Sequence, residues 1–309
     1  MKSEHVRKNG GKKFKILTVV LAVTTLLFGS ALFYIVYGNF NYLAFKYLIT
    51  GNYIYTDALG ELYTEQIDVR EEKDFFRNFD DVVIGVVTDK IRTINSDRYT
   101  YLYTPEEYTL QAETTKAVAD DARIEELTAE TVYLRLPNIS VYTKDYLYAN
   151  REALTKYKNI VIDLRSNSGG KLNDLYAMAK LFLDKGMVIG SEATRHSWTS
   201  RTVKASADRY FDFAEIILLQ NDRTASAAEG FIMALKENLT NVTVIGTQSY
   251  GKGIGQVTIP LKHGYAVKAT TLSVLTPSGR SIHGVGITPD ILHETDEDML
   301  HFALETLID

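Results

Sequence analysis

Three side chains in the second half of the chain have types and positions suited to nucleophilic chemistry. Ser226 follows an apolar strand and stands where a helix begins, so its hydroxyl would lie beside unpaired helix N–H groups. Lys252 lies between two glycines after a second apolar strand, where burial could remove its proton and make it a general base. Gln256, four residues later, could orient the amine without adding charge. These residue types would suit a serine hydrolase with a lysine base.

Such a hydrolase also needs donors for a developing oxyanion. The N–H of Ala227 opens the helix, and the Gly169-Gly170 turn after another strand could expose an N–H to a substrate carbonyl. Each feature also has a purely structural interpretation. Thr224 or Ser226 would simply cap the helix, the glycines would turn the chain, and the lysine would lie on the surface.

Other chemistries have weaker support. A Ser–His–Asp arrangement of Ser226 with His283 stays open as an alternative base assignment. No pair of histidines with a carboxylate has metal-ligand spacing, so no metal or other cofactor is expected. The residues around Lys252 lack the phosphate-loop pattern, and a net charge of −5 argues against nucleic acid as a partner. Cysteine is absent, which excludes disulfides and thiol nucleophiles. The absence fits an extracytoplasmic bacterial protein, but a cytosolic protein could also lack cysteine.

The elements around the candidate residues repeat one order of strand, turn, helix and strand. The strands are predicted over residues 158–164, 187–190, 214–220 and 241–247, and the helices over residues 172–183 and 225–238. Two such units in succession predict an α/β fold with parallel strands and crossover helices. Reactive groups in such folds collect at the carboxyl ends of the strands, where both candidate turns lie.

The flanking segments complete the expected body. Residues 255–261 and 265–275 alternate as an antiparallel hairpin. The polar residues 113–130 lack apolar periodicity and are interpreted as a connector, whereas residues 38–98 have mostly helical spacing.

Five segments, taken together and in this order, carry a family resemblance over about residues 97–290. They are residues 97–107 (DRYTYLYTPEE), 162–170 (IDLRSNSGG), 224–229 (TASAAE), 250–253 (YGKG) with Gln256, and 276–282 (TPSGRSI) through 286–290 (GITPD). The chain resembles the C-terminal processing (tail-specific) peptidases, a serine–lysine family.

The resemblance implies a crotonase/ClpP-like α/β core and peptide-bond hydrolysis without a cofactor. It implies Ser226 as nucleophile, Lys252 as base and Gln256 as the residue that positions the base. It also implies an oxyanion hole from Ala227 and a glycine of the Gly169-Gly170 turn.

The chain departs from the family pattern in two places. Only about 25 residues separate Gln111 from Leu136, too few for the PDZ domain that such peptidases usually carry there. Ser166 and Ser168 replace the glycine and proline that usually precede the paired glycines. The expected function is therefore extracytoplasmic endopeptidase, acting on proteins or peptides. The alternatives are a catalytically inactive peptide- or ligand-binding module and an adaptor that recruits partners through the helical segment.

An apolar run near the N-terminus predicts a membrane anchor. Residues 16–37 are uncharged and would span roughly 33 Å as a helix, enough to cross a bilayer core. Six basic residues precede the run, whereas Lys46 is the only one in the next twenty, so the positive-inside rule places residues 1–15 in the cytoplasm. A signal peptide cleaved near residues 29–31 is the competing interpretation, but the apolar run continues to Tyr37.

These expectations divide the chain into four parts. Residues 1–15 form a cytoplasmic tail, 16–37 a single transmembrane helix, 38–98 a small helical segment and 99–309 the peptidase domain outside a bacterial cell membrane. Expected partners are a protein or peptide substrate and the membrane itself, and homo-oligomerisation is left open.

Overall fold

The computed structural model describes residues 2–55 and 81–307. The helices are α1 (Lys2–Gly38), α2 (Phe40–Lys46), α3 (Asp81–Ile94), α4 (Pro105–Ala119), α5 (Val141–Leu154), α6 (Leu172–Ala179), α7 (Ala227–Lys236) and α8 (Met299–Thr306), with a π-helical turn at Tyr47–Asn52 after α2. The strands are β1 (Tyr101–Tyr103), β2 (Arg123–Glu126), β3 (Thr131–Arg135), β4 (Asn159–Asp163), β5 (Val188–Thr194), β6 (Arg201–Lys204), β7 (Glu215–Gln220), β8 (Val242–Gly246), β9 (Ile254–Pro260), β10 (Ala266–Leu275) and β11 (Ile291–Leu292).

The first sheet carries the candidate turns. Its strand order is β11-β8-β7-β4-β3-β2, and every pair is parallel except β2 with β3. All five residues of β4 are buried, as expected for a strand in the middle of a parallel sheet covered on both faces. The predicted strand–helix–strand unit of β7, α7 and β8 is present with parallel pairing, so the α/β prediction is confirmed.

Alternate residues of these strands face two different cores. Even-numbered positions such as Ile160, Ile162 and Leu218 pack with α5, α6 and α7 in the main core. Odd-numbered positions, Val161, Ile217 and Leu219 among them, pack with Met299 and Ala303 of α8 on the opposite face. The period of two residues in a strand therefore produces a helix–sheet–helix sandwich.

The second sheet is antiparallel and lies beside the first. Strand β10 is at its centre, because it pairs with β9 along one edge and with β1 and β5 along the other. Val267 and Ala269 of β10 form a third core with buried side chains of α2, the π-helical turn and α3. The helical segment after α1 is thus packed onto the antiparallel sheet. Residues 56–80 of the predicted segment 38–98 lie outside the described residues.

Two local predictions are wrong. Strand β5 was expected beside β4 in the parallel sheet, but it pairs with β6 and β10 in the antiparallel sheet. The spacing of apolar residues predicts a strand but not its partner, and a β5–β6 hairpin is inserted into the crossover from β4 to β7. The expected connector 113–130 contains the end of α4 and all of β2. Helix α4 is largely exposed, so its sequence lacks the apolar periodicity that would have predicted a helix. A capping box formed by Thr104 and Glu107 begins the helix.

The segment where a PDZ domain would be inserted is fully accounted for. Residues between Gln111 and Leu136 form the end of α4, the β2–β3 hairpin and its turns. No additional domain separates α4 from the parallel sheet.

Helix α1 contains the expected apolar span. Its stretch Leu17–Gly38 has 22 residues and a mean hydropathy of 2.3, and none of it is buried against the rest of the described chain. This length and composition suit a membrane span or a signal sequence.

The aromatic core behind α7 generates a stability prediction. Phe231 is fully buried and packs edge-to-face on Phe182 at 5.7 Å between ring centroids. We expect Phe231→Ala to lower the free energy of unfolding by about 3–5 kcal/mol, because it leaves a cavity in a packed core. Chemical denaturation of the detergent-solubilised protein, followed by fluorescence of its single tryptophan, measures the change.

Leu110→Ala on the exposed face of α4 is the matched control and should change stability by less than about 0.5 kcal/mol. Equal losses for the two variants would contradict the assignment of Phe231 to the core.

Candidate functional site

Ser226 occupies a strained position at the start of α7. Its backbone has φ 59° and ψ −120°, a positive-φ conformation that L-residues seldom adopt. The two other serine or threonine N-caps with capping boxes, Thr104 and Ser140, have extended backbones, and their hydroxyls accept the N–H three residues on. A backbone unlike that of an ordinary cap indicates that the turn serves to present Ser226 at the end of β7.

The turn after β4 meets this serine because it contains glycine. A Cβ on Gly169 would lie 2.7–2.8 Å from the Ala225 oxygen, the Ala227 nitrogen and the Ser226 Cβ. Any side chain there would therefore push the two turns apart. The predicted Gly169-Gly170 turn and the predicted nucleophile are thus in direct contact.

Hydrogen bonding distinguishes the two glycines as oxyanion donors. The N–H of Gly169 donates to Oδ1 of Asn167 at 2.9 Å, and the Asn167 carbonyl accepts the N–H of Ala225 at 2.9 Å. The N–H groups of Gly170 and Ala227 have no hydrogen-bond acceptor among the described residues. Gly170 and Ala227 are therefore the pair of donors that is free for a ligand.

Lys252 lies in the loop between β8 and β9. A Cβ on Gly251 would lie 2.7 Å from the Gly286 nitrogen, and one on Gly253 would lie 2.7 Å from the His283 nitrogen. The flanking glycines thus let the turn at residues 282–286 pack closely over the lysine loop. The loop is held in place by this contact.

The amine of Lys252 lies in an environment that favours its neutral form. Burial, together with the nearby charges of Lys268 and Arg98, lowers the pKa of Lys252 to about 8, against the opposing effects of Asp97 and Glu229. Nζ lies 4.5 Å from the centroid of the Tyr99 ring. Lysine at this position can lose its proton near neutral pH, as a general base must.

One carboxylate oxygen joins the nucleophile segment to the base segment. Oε2 of Glu229 accepts the backbone N–H of Ser226 at 2.7 Å and that of Lys252 at 2.8 Å. The two backbone nitrogens are therefore at most 5.5 Å apart. A lysine side chain is long enough to reach a hydroxyl on a neighbour this close.

The side chains themselves are not yet in catalytic contact. No hydrogen bond joins the Ser226 hydroxyl to the Lys252 amine, which faces the Tyr99 ring instead. Nε2 of Gln256 lies 3.5 Å from Oγ1 of Thr270 and does not hydrogen-bond Lys252. The structure thus brings the Gly169 turn, Ser226 and the backbone of Lys252 close together and leaves the expected Ser–Lys–Gln chain of hydrogen bonds unformed.

A buried carboxylate beneath the site went unrecognised in the sequence. Asp97 is only 3% exposed, and its carboxylate accepts hydrogen bonds from Tyr53, Thr100 and Thr270. It supports the strand that carries Thr270 and raises the pKa of Lys252, in opposition to burial. Asp97 and Glu229 both stand inside the motifs that suggested the family, but their partners are distant in sequence, so spacing alone assigns them no role.

His283 does not replace Lys252 as a base in this structure. Its side chain is exposed, and its ring makes no hydrogen bond with Ser226 or with any carboxylate of the described residues. Its backbone packs against Gly253 instead.

Part of the chain matches a described protein family. The model of "Peptidase family S41" matches residues 130–293. Over 139 residues the chain is 41% identical to a carboxy-terminal-processing protease of Bartonella bacilliformis, covering 45% of this chain and 32% of that protein. Over 150 residues it is 39% identical to a Staphylococcus aureus protein named "Probable CtpA-like serine protease", covering 48% of this chain and 29% of that protein. The chain spans about a third of the length of these curated relatives.

Solved structures share the fold at low sequence identity. The photosystem II D1 C-terminal processing protease matches with a TM-score of 0.63 and 16% identity, over 83% of this chain and 93% of that one. A lipoprotein from Streptococcus agalactiae matches with a TM-score of 0.62 and 17% identity, over 88% and 95% of the two chains. At these identities the likeness shows the fold, which agrees with the α/β class predicted from the sequence.

The environment of Lys252 predicts how the reactivity of Ser226 depends on pH. Only a neutral amine can accept the serine proton, so the rate of covalent modification by a fluorophosphonate should rise about tenfold per pH unit below the pKa and level off above about 8. Mass spectrometry of the labelled protein measures this rate from pH 5 to about pH 10.

Lys252→Ala is the control and should react slowly, without this sigmoidal rise. A wild-type rate that does not change with pH would contradict the role of Lys252 as base.

Proposed function

The chain belongs to peptidase family S41, a family of serine peptidases, and from that premise we propose a membrane-anchored extracytoplasmic endopeptidase with Ser226 as nucleophile and Lys252 as base. The observation that carries the assignment is the shared Glu229 oxygen, which holds the serine and the lysine within one small space. The lowered pKa of Lys252 supports the role of its amine.

The reaction follows from the positions of these groups. Neutral Lys252 takes the hydroxyl proton of Ser226 as the serine oxygen bonds to the substrate carbonyl carbon. The carbonyl oxygen becomes an oxyanion, and the free N–H groups of Ala227 and Gly170 donate to it. The C–N bond then breaks, and the lysine ammonium gives its proton to the departing amine.

Hydrolysis of the acyl-enzyme uses the same groups in the same order. Neutral Lys252 takes a proton from water, and the resulting hydroxide attacks the ester carbonyl. The ester bond to Ser226 breaks, and the serine oxygen regains its proton from the lysine. At the end of the two steps Ser226 carries its proton again and Lys252 is neutral, and neither step uses a cofactor.

The lysine chain must rotate before this reaction begins. Its amine faces Tyr99 and not Ser226, although the backbone nitrogens of the two residues are at most 5.5 Å apart. We expect rotation about the side-chain bonds of Lys252 to bring the amine to the Ser226 hydroxyl. Gln256 must also change its rotamer to hydrogen-bond the Lys252 amine. We propose that Gln256 then positions this amine.

The resting position of the lysine also favours a second candidate. If the Lys252 amine stays on the Tyr99 ring, the protein would bind peptides without cleaving them. It would then be a catalytically inactive module of the same fold. Substrate selection without a PDZ domain is compatible with either function, so cleavage itself is the deciding measurement.

Removal of either reacting group should abolish proteolysis. We expect the full chain in detergent to cleave unfolded casein, and Ser226→Ala and Lys252→Ala each to lower kcat at least about 10³-fold, because each removes a reacting atom. Gel electrophoresis and mass spectrometry of the fragments measure the rates.

Ser168→Ala, in the neighbouring exposed turn, is the control for unspecific damage and should retain most activity. Cleavage that survives both active-site variants would exclude the mechanism. Peptide binding without cleavage by the wild type would favour the inactive module.

Membrane anchoring through α1 is supported by the contact between the helix end and the body. Nζ of Lys262 lies 4.2 Å from the Tyr37 ring centroid and 3.4 Å from the Gly38 carbonyl. Apart from this contact at its end, the apolar stretch Leu17–Gly38 of α1 is not buried against the described chain. We propose that the bilayer surrounds it and that the basic residues before it stay in the cytoplasm.

Fractionation tests this anchor. The full chain should remain in membranes after alkaline carbonate extraction, and a protease added outside intact spheroplasts should digest the body, because one uncleaved span leaves the body outside. A shortened mature N-terminus at residues 30–32 in the purified protein would instead identify α1 as a signal peptide.

A further inference from the structure

Glu229 is a buried carboxylate whose only described partners are hydrogen-bond donors. Its side chain is fully buried, and it forms no ion pair with any described lysine, arginine or histidine. Oε1 accepts the Ser249 hydroxyl at 2.5 Å and the Gly251 N–H at 2.7 Å, while Oε2 accepts the N–H groups of Ser226 and Lys252. Burial of a charge is costly, and four donors offset the cost here.

We propose that Glu229 is a positioning residue of the peptidase site, which fixes the nucleophile turn against the base loop and supplies the negative charge that balances the cations around Lys252. The inference rests on the proposed function and assigns Glu229 a part in it that helix capping alone does not explain.

The distribution of the four donors separates this role from ordinary capping. In a capping box the side chain of Glu229 needs to accept only the N–H of Ser226, and the side-chain oxygen of glutamine can accept that bond as well. The other three donors, Ser249, Gly251 and Lys252, belong to the loop that carries the base. A side chain that accepts two bonds at each oxygen must be a carboxylate, because the amide of glutamine has only one accepting atom.

The charge of Glu229 acts on Lys252 in a definite direction. Burial favours loss of the proton from the Lys252 amine, and so do the nearby charges of Lys268 and Arg98, whereas Asp97 and Glu229 favour the charged form. The Tyr99 ring beneath the amine also attracts the charged form. Removal of the charge on Glu229 must therefore lower the pKa of Lys252 further.

Glu229→Gln tests both parts of the role in the full-length protein in detergent. We expect kcat for casein-derived peptide to fall roughly 10²-fold with KM changed less than about twofold, because the serine and the lysine lose their fixed separation. We also expect the midpoint of Lys252 titration to move to lower pH. Nitrogen NMR of labelled lysine amines, assigned with Lys252→Arg, measures that midpoint independently of activity.

Glu192→Gln is the matched control. Glu192 is also a buried carboxylate, but it accepts from Tyr176 and Arg201 and contacts neither Ser226 nor Lys252. We expect Glu192→Gln to lower stability at most. The midpoint of the Lys252 titration and kcat should stay near the wild-type values. If Glu229→Gln does not fold, Ser249→Ala takes its place, and it should lower kcat about tenfold at unchanged KM because it removes one of the four donors.

The outcomes separate the inference from the function on which it rests. An active wild type, together with an unmoved Lys252 midpoint and an unchanged kcat in Glu229→Gln, would overturn the inference alone. An equal shift in Glu192→Gln would also overturn it, since any buried carboxylate would then have the effect. A wild type that cleaves no substrate would overturn the proposed function and the positioning role with it.

Discussion

The site depends on two parallel strands that end side by side. Strands β4 and β7 pair through Asp163 and Leu219, and the N–H of Leu164 continues the ladder to the Leu219 carbonyl at 2.9 Å. Both chains therefore turn at the same level of the sheet. The turn after β4 lies against the turn after β7, and only a glycine at position 169 leaves room for the contact. Convergence of the free N–H groups near Ser226 is a consequence of this register.

The pKa of Lys252, the proposed base, reflects opposing effects. Depression of the pKa of Lys252 to about 8 corresponds to roughly 3 kcal/mol in favour of the neutral amine. Burial and two neighbouring cations lower the pKa, and two buried carboxylates limit the depression. The carboxylates also make structural hydrogen bonds. Asp97 accepts the hydroxyl of Thr270 in strand β10, and Glu229 accepts the backbone N–H of Lys252. The same groups thus set the position and the protonation of the lysine.

The sequence predicted the local order of elements around the candidate residues. Ser226, Lys252 and the paired glycines stand at strand ends, and strand–turn–helix order is visible in a single sequence. It did not predict the partners of β5 or the roles of Asp97 and Glu229. Strand pairing and buried hydrogen bonds join residues that are far apart along the chain, as with Asp97 and Thr270. The difference between Gly169 and Gly170 as donors likewise depends on the Asn167 side chain, which spacing cannot reveal.

The position of Lys252 over Tyr99 connects its protonation to its reach. A ring attracts an ammonium group through its negative face, by about 0.5–2 kcal/mol, and has no comparable attraction for a neutral amine. Loss of the proton therefore weakens the contact that keeps the lysine away from Ser226. The neutral amine is also the form that accepts a hydrogen bond from a hydroxyl, which the ammonium cannot do. In the proposed mechanism, deprotonation therefore weakens the contact of the amine with the ring and leaves an amine that can accept a hydrogen bond from the Ser226 hydroxyl.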